Sequence, residues 1–451
     1  MAEWNERLSS SMRHSQTLRL VTVAILVLLL LIPIGMIGGL IAERQQRQST
    51  AVDEISSKWG GVQQIAGPYL VVPYAEDIVQ STEDGKTTVR RFARHAVFLA
   101  DSLTTTAALS TETRNRGIYS VPVYRMELVA SGVFSRPDFK ALGITPTSVN
   151  WDRVQLVFGI SDTRAIQTRT SVKWGEVNIP MLPGGGSLSA ARSAIHAVVD
   201  FTDSSARVSF SLPLTLNGSQ GVYFVPFGEN TVVRLESDFP HPSFQGNWLP
   251  TSRSVTDAGF NAEWSIPFLG RSFPQAWTAS EKPGLSEIVD GARFGVDLVN
   301  PVNHYSMAQR CVKYAGLFIL LTFATLWIFE VRAAVRVHPI QFLMLGGALC
   351  LFYLLLLSIS EHVPFLGAYA IASVAIVAMV ASYGLVVLGA INRALAIGLV
   401  VALLYGYLYI LLVNEDYALL IGSAGLFLIL SGIMYSTRKV DWYAVGDMSG
   451  R

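Results

Sequence analysis

The chain has 451 residues, 51% of them hydrophobic and only 15% charged, with a formal net charge of +1; its mean hydropathy is +0.40. That composition is too apolar for a water-soluble protein of this length and points to a membrane. The near balance of charge offers no basic surface for phosphates, so no nucleic-acid partner is expected.

From the N-terminus, Arg7, Arg13 and Arg19 precede an almost uncharged run from Leu20 to Ile41, about the 20 residues that cross a bilayer. A secretory signal has a shorter apolar core and a small-residue cleavage site, whereas this run is long and ends GLIAERQQ, so an uncleaved anchor is expected. Gly35 and Gly39 form a G-x-x-x-G in it, a helix-packing pattern, and Pro33 is the only proline within an expected span.

After Glu43 the chain turns mixed and polar until about Arg310, with recurring alternation of period two. Tyr124, Met126 and Leu128 alternate with Arg125 and Glu127; Val154 to Ile160, Val208 to Leu216 and Phe260 to Ile266 repeat the pattern. Half-buried strands read this way because successive side chains face opposite sides. LPGGGS (Leu182 to Ser187) and LNGSQG (Leu216 to Gly221) read as turns between them. A mainly antiparallel, sandwich-like β domain with few helices is expected. At its end, Ser306 and Gln309 stand in capping-box spacing, predicting a helix that starts there.

Five further apolar runs follow: Tyr314 to Phe329, Ile340 to Leu357, Phe365 to Leu388, Ala394 to Leu412 and Tyr417 to Tyr435. With the N-terminus in the cytoplasm, the cytoplasmic connections carry Arg332, Arg336 and His338, then Arg393, then Arg438 and Lys439. The opposite connections, SEHVP and NED, carry neither Lys nor Arg, so the short loops obey the positive-inside rule. The expected protein is a multi-pass α-helical membrane protein with six transmembrane helices, both termini cytoplasmic. Its parts are a cytoplasmic N-terminus (1–19), an anchor helix (20–41), a periplasmic β-rich domain (43–310), a five-helix block (314–435) and a cytoplasmic tail (436–451). Cys311 and Cys350 fall at the mouth of one helix and within the next, so free buried thiols are expected rather than a disulfide framework.

Signatures of chemistry are absent. The 7 histidines, His14, His95, His196, His241, His304, His338 and His362, never fall two within one helical turn, and neither H-E-x-x-H nor C-x-x-C occurs, so no metal site is expected. GGSLS at Gly185 lacks the last glycine of a nucleophile elbow, and there is no P-loop or strand-led G-x-G-x-x-G. Neither enzyme activity nor a cofactor is expected. Glu330, Glu361 and His362 lie at the ends of their helices and are read as interfacial charges rather than a proton path through the bilayer midplane.

Four stretches carry a resemblance: FPHPSFQGNWLP (Phe239 to Pro250), VDWYA (Val440 to Ala444), VHPIQFLMLGGALCLFYLLLLSISEH (Val337 to His362) and GPYLVVPY (Gly67 to Tyr74). Together they resemble the CreD family of bacterial inner-membrane proteins, over nearly the whole chain beyond about Arg13. The resemblance implies a Gram-negative inner-membrane protein tied to cell-envelope integrity, with CreBC two-component control, colicin tolerance and β-lactam responses. It supplies no catalytic residues.

The stretch FPHPSFQGNWLP has two readings. Pro240, Pro242 and Pro250 fix φ and remove donors, while Phe239, Phe244 and Trp248 offer an apolar cluster, which suits a structural corner with His241 hydrogen-bonded locally and Trp248 as a buried pin. The same residues suit a recognition loop centred on His241, Phe244 and Trp248. The leading expectation is a non-enzymatic envelope protein whose periplasmic domain binds or senses an envelope component. Membrane lipids, and an envelope component or a membrane-protein partner, are the expected contacts. A transporter or flippase-like bundle is the alternative, and an envelope-modifying enzyme is a third reading.

Overall fold

The computed structural model describes residues 16–81, 87–185, 193–202, 207–278, 291–298, 304–333 and 337–438. Arg7, Arg13, His14, Arg336, Lys439 and the VDWYA motif lie outside the described residues, as do the end of LPGGGS and most of GGSLS. The chain divides into two compact units, Met1–Gln48 with Val302–Arg451, and Ser49–Pro301.

Among the described residues six helices are long and apolar enough to cross a membrane. They are α1 (Gln16–Trp59), α2 (His304–Ala333), α3 (Pro339–Ser360), α4 (Phe365–Leu388), α5 (Ile391–Val413) and α6 (Ala418–Thr437). Two boundaries differ from the sequence reading. α1 does not stop near Ile41: from Leu40 to Trp59 there is neither Gly nor Pro, and the helix runs on until Gly60 and Gly61, both at positive φ. α2 is already helical at His304, so Ser306 and Gln309 lie inside it and form no capping box at its start. A capping box occurs instead at α3, where the His338 side chain accepts from the Ile340 N–H at 3.2 Å and Gln341 Oε1 accepts from the His338 N–H at 2.9 Å.

The helices pack through large side chains on small ones. Leu30 and Ile34 of α1 join a buried cluster with Phe323 of α2, Phe352 of α3 and Tyr369 of α4. Gly35 and Gly39 take no part in this: each is exposed, with no atom within 4 Å of where a Cβ would stand. Their face of α1 points away from the Leu30 and Ile34 face, and the glycine that permits close approach is Gly346 of α3, whose missing Cβ leaves room for Leu30. Cys311 and Cys350 are free and buried.

Among the described residues the second unit is a β structure of 17 strands. In chain order they are β1 (Gln63–Ser81), β2 (Thr87–Arg116), β3 (Tyr119–Ser135), β4 (Ser148–Val149), β5 (Val154–Ile160), β6 (Ser171–Trp174), β7 (Val177–Pro180), β8 (Leu182–Pro183) and β9 (Ala194–Val199). Then follow β10 (Arg207–Ser219), β11 (Gly221–Val225), β12 (Gly228–Ser237), β13 (Pro242–Gly246), β14 (Ser252–Thr256), β15 (Gly259–Pro267), β16 (Ala276–Thr278) and β17 (Phe294–Leu298). Pairing is mainly antiparallel; β1 with β11 and β12 with β2 are parallel.

Two sheets share long strands. The first half of β2, Thr87 to Leu99, pairs with β1 in one sheet, and the second half, Ser102 to Arg116, pairs with β3 in the other. At a bulge between Ala66 and Tyr69 β1 keeps β5 on one edge and exchanges β11 for β2 on the other, and Gly67 there takes a φ of +129° beside the Val157 carbonyl. LNGSQG is not a loop: β10 runs through Leu216 to Ser219 and, after Gln220 alone at a φ of +65°, continues as β11 in the other sheet. The Tyr124 hydroxyl closes that crossing by donating to the Gly221 carbonyl at 2.8 Å.

The alternation of β3, β10 and β15 gives one buried and one exposed face. β5, paired between β1 and β9, is buried on almost every residue, so both of its faces are covered. Rings from the two sheets meet in the core, Trp264 of β15 standing 5.6 Å from Phe294 of β17.

Candidate functional site

The Phe239 to Pro250 stretch carries the chain out of one sheet and into the other. β12 ends at Ser237, and Asp238 then accepts from the Thr111 N–H at 2.9 Å and the Thr111 hydroxyl at 2.7 Å. β13 pairs with β17, placing Phe244 opposite Val296. Asn247 donates from its side chain to the Gly291 carbonyl at 2.7 Å, and its N–H to the Arg293 carbonyl at 3.0 Å. β14 then returns to β15 in the first sheet.

Phe244 turns its ring toward Phe260 at 5.8 Å and Trp264 at 5.9 Å, and Trp248 meets Phe294 at 6.0 Å. The Trp264 indole N–H donates to the Trp248 carbonyl at 3.1 Å. Trp264, Phe260 and Phe294 are fully buried, with Trp248 and Phe244 half-buried beside them. Trp248 is therefore not the buried pin expected from sequence; its place at the sheet margin leaves one side open. His241 is exposed and stands edge-on to the Phe239 ring at 6.3 Å, without the expected local hydrogen bond among the described residues.

Beside this crossover a groove of about 450 Å³ runs across the outer face of β2, β12, β15 and β14. Short side chains, Thr106, Ala108, Ser252 and Ser254, leave the space, and charged ones stand over it. Arg234 and Glu263 are directly opposed across β12 and β15, and pair at 3.0 Å. Glu236, Asn261 and Arg253 complete the polar lining. Arg253 also lies 5.7 Å above the Phe244 ring, joining the groove to the crossover. The two arginines and two glutamates balance, so the groove suits an uncharged or zwitterionic polar ligand. Arg234, Arg253 and Glu263 escaped the sequence reading. Their only signal is opposite charge at positions that become neighbours once the register is known.

In the helical unit, two of the carboxylates read as interfacial charges are largely buried. Glu330 is only 8% exposed and lines a cavity of about 270 Å³ with Thr22, Trp327, His338 and Phe342. The Glu361 side chain, 11% exposed, accepts from the Tyr305 hydroxyl at 3.0 Å and lies 3.8 Å from Arg44. Tyr305 of α2 and Arg44 of α1 hold Glu361 in place. His362 is exposed. Among the described residues no three His, Cys, Asp or Glu side chains converge as a metal site.

A family model described as inner membrane protein CreD matches residues 15–443. The inner membrane protein CreD of Escherichia coli (strain K12) is 33% identical over 422 residues, which covers 93% of this chain and 92% of that protein. Among solved structures, an M1 zinc metallopeptidase from Deinococcus radiodurans aligns at 8% identity and a TM-score of 0.18, covering 37% of this chain and 38% of its own. A substrate-bound mutant of that enzyme aligns at 9% identity and a TM-score of 0.19, covering 49% and 54%. At those scores the likeness bears on neither fold nor function.

Proposed function

The chain belongs to the CreD family of inner membrane proteins, and from that premise we propose that it maintains cell-envelope integrity by binding an envelope component through its sheet unit. In this reading both termini are cytoplasmic and the sheet unit stands in the periplasm, as the Lys and Arg bias of the short loops supports. The carrying observation is the groove: balanced charges held at fixed register on paired strands, a rigid platform beside the Phe239 to Pro250 crossover. The role is binding rather than catalysis, with the ligand fixed by the Arg234 and Glu263 pair and the hydroxyls between them.

The test is the paired exchange of Arg234→Glu with Glu263→Arg, and each single change, in the intact membrane protein. The single changes are expected to leave membrane abundance normal and to alter susceptibility to colicins or β-lactams. Full tolerance in all three variants would refute the groove's role. Reporter fusions at Asn414 and at Arg451 test the orientation; finding both on the same side would refute it. A second reading, transport through the helical unit, is favoured by the inward Glu330 and its cavity. Loss of phenotype in Glu330→Gln at normal abundance, with the groove variants silent, would put it first.

A further inference from the structure

β15 ends at Pro267, and the single turn that follows, Phe268–Gly270, buries none of its residues. Leu269 is 91% exposed and Phe268 40%. The turn stands beside the Phe239 to Pro250 crossover: a Cβ on Gly270 would lie 3.7 Å from the Trp248 indole nitrogen. Leu249, the next residue, is 67% exposed, and the half-buried Trp248 joins it to the turn as one apolar strip. The strip shares no residue with the groove over β2, β12, β15 and β14. Contiguous exposed apolar surface of this kind marks an interaction site.

Arg271 is set into one end of the strip. Its guanidinium lies 5.1 Å from the centre of the Phe268 ring and 5.0 Å from that of Phe273. Nη1 donates to the Pro226 carbonyl at 3.3 Å and Nη2 to Gln275 Oε1 at 2.6 Å, while Nε is buried with no acceptor. Both acceptors are neutral, and Arg271 makes no ion pair among the described residues. Burial pushes its pKa down to about 10, with Glu229 opposing that shift only through space. A guanidinium drawn this far out of water without a carboxylate is costly, and its remaining Nη hydrogens are left for an acceptor from outside.

From this pairing of an apolar strip with an uncompensated arginine we infer that the strip docks an extended segment of another protein, laying apolar side chains on Trp248, Leu249 and Leu269 and a carboxylate on Arg271. Two other occupants fit less well. A second copy in an isologous contact brings its own Arg271 to the same strip, like charge against like. A lipid surface meets Leu249 and Leu269, but its headgroup layer stops short of a guanidinium set back against two rings, which a single side chain can reach.

A photoreactive benzophenone amino acid in place of Leu249 tests this in the full-length protein. Native cells making it are irradiated, and the adducts are sequenced by mass spectrometry. The expected adduct is with another protein, at a segment carrying Asp or Glu beside apolar residues. Leu269→Lys is expected to keep it, since the added cation suits the same carboxylate, and Leu269→Asp to lose it by repulsion. Leu269 is almost fully exposed, so neither change threatens folding, and the pair stands independently of any cost that Arg271→Gln brings to its loop. Arg271→Gln is expected to lose the adduct at normal membrane abundance. The same benzophenone at the exposed Val129 of β3 is expected to give none. No protein adduct, an adduct with lipid or with a second copy of this chain, or equal adducts in Leu269→Lys and Leu269→Asp overturns the inference.

Discussion

Trp264 and Trp248 make opposite demands on a truncation experiment. Trp264 is fully buried, packs against Phe244 and Phe294, and donates its indole N–H to the Trp248 carbonyl at 3.1 Å. Trp264→Ala removes an aromatic side chain from between two sheets, at roughly 3 to 5 kcal/mol, and a hydrogen bond worth about 1 kcal/mol more. Trp248 is half-buried, with Phe294 on one side, so Trp248→Ala is expected to cost about half the aromatic figure, ~2 kcal/mol. In a unit of this size each kcal/mol lowers Tm by about 2 to 4 °C. The expected losses are therefore roughly 8 to 24 °C for Trp264→Ala and ~4 to 8 °C for Trp248→Ala. Thermal unfolding of the purified protein, beside its abundance in membranes, reads both. If Trp248→Ala proved as damaging as Trp264→Ala, the half-buried indole would be the true pin and the account of this corner would be wrong.

At Gly132 of β3 a Cβ would collide with the Ser102 carbonyl, so Gly132→Ala is expected to deplete the protein from membranes, whereas Gly143→Ala, in open space but at a φ of +69°, is expected to cost only about 1 kcal/mol; equal abundance of Gly132→Ala and wild type would contradict the close approach. Hydrogen bonding to Arg164 holds the Asp162 carboxyl below its ordinary value of 3.8. A depressed carboxylate stabilises the fold above its unfolded pKa and loses that contribution as pH falls through the folded one. Melting curves from about pH 6 to about pH 3 are therefore expected to fall less steeply for Asp162→Asn than for wild type, and parallel curves would remove the pair from the account. Glu361→Gln keeps an acceptor for the buried Tyr305 hydroxyl and is expected to be mild. Glu361→Ala removes the acceptor of that hydrogen bond, at about 1 kcal/mol, and equal melting points for the two would show that the bond contributes nothing.

Where the sequence reading held, the physics is local. Each apolar run carries its own solvent preference, and six helices long and apolar enough to span appear where six were expected. Alternation in β3, β10 and β15 records which face meets the core, whichever strand lies alongside. The buried state of Cys350 follows in the same way from its apolar neighbours in the sequence.

Where it failed or was silent, partners distant in the chain decide. That Gln220 passes a strand between sheets instead of turning it depends on Tyr124 reaching the Gly221 carbonyl. Burial of β5 on both faces depends on what packs over the sheet, not on the alternation of its own residues. Gly35 and Gly39 form a packing motif in sequence, yet Gly346 meets Leu30, because helix rotation is set by the whole cluster around Phe323 and Phe352. Arg234 and Glu263 are separate charges on separate strands until the β12 and β15 register makes them a pair. Periodicity along one chain fixes which side of an element is apolar, and only the packed register fixes what stands opposite it.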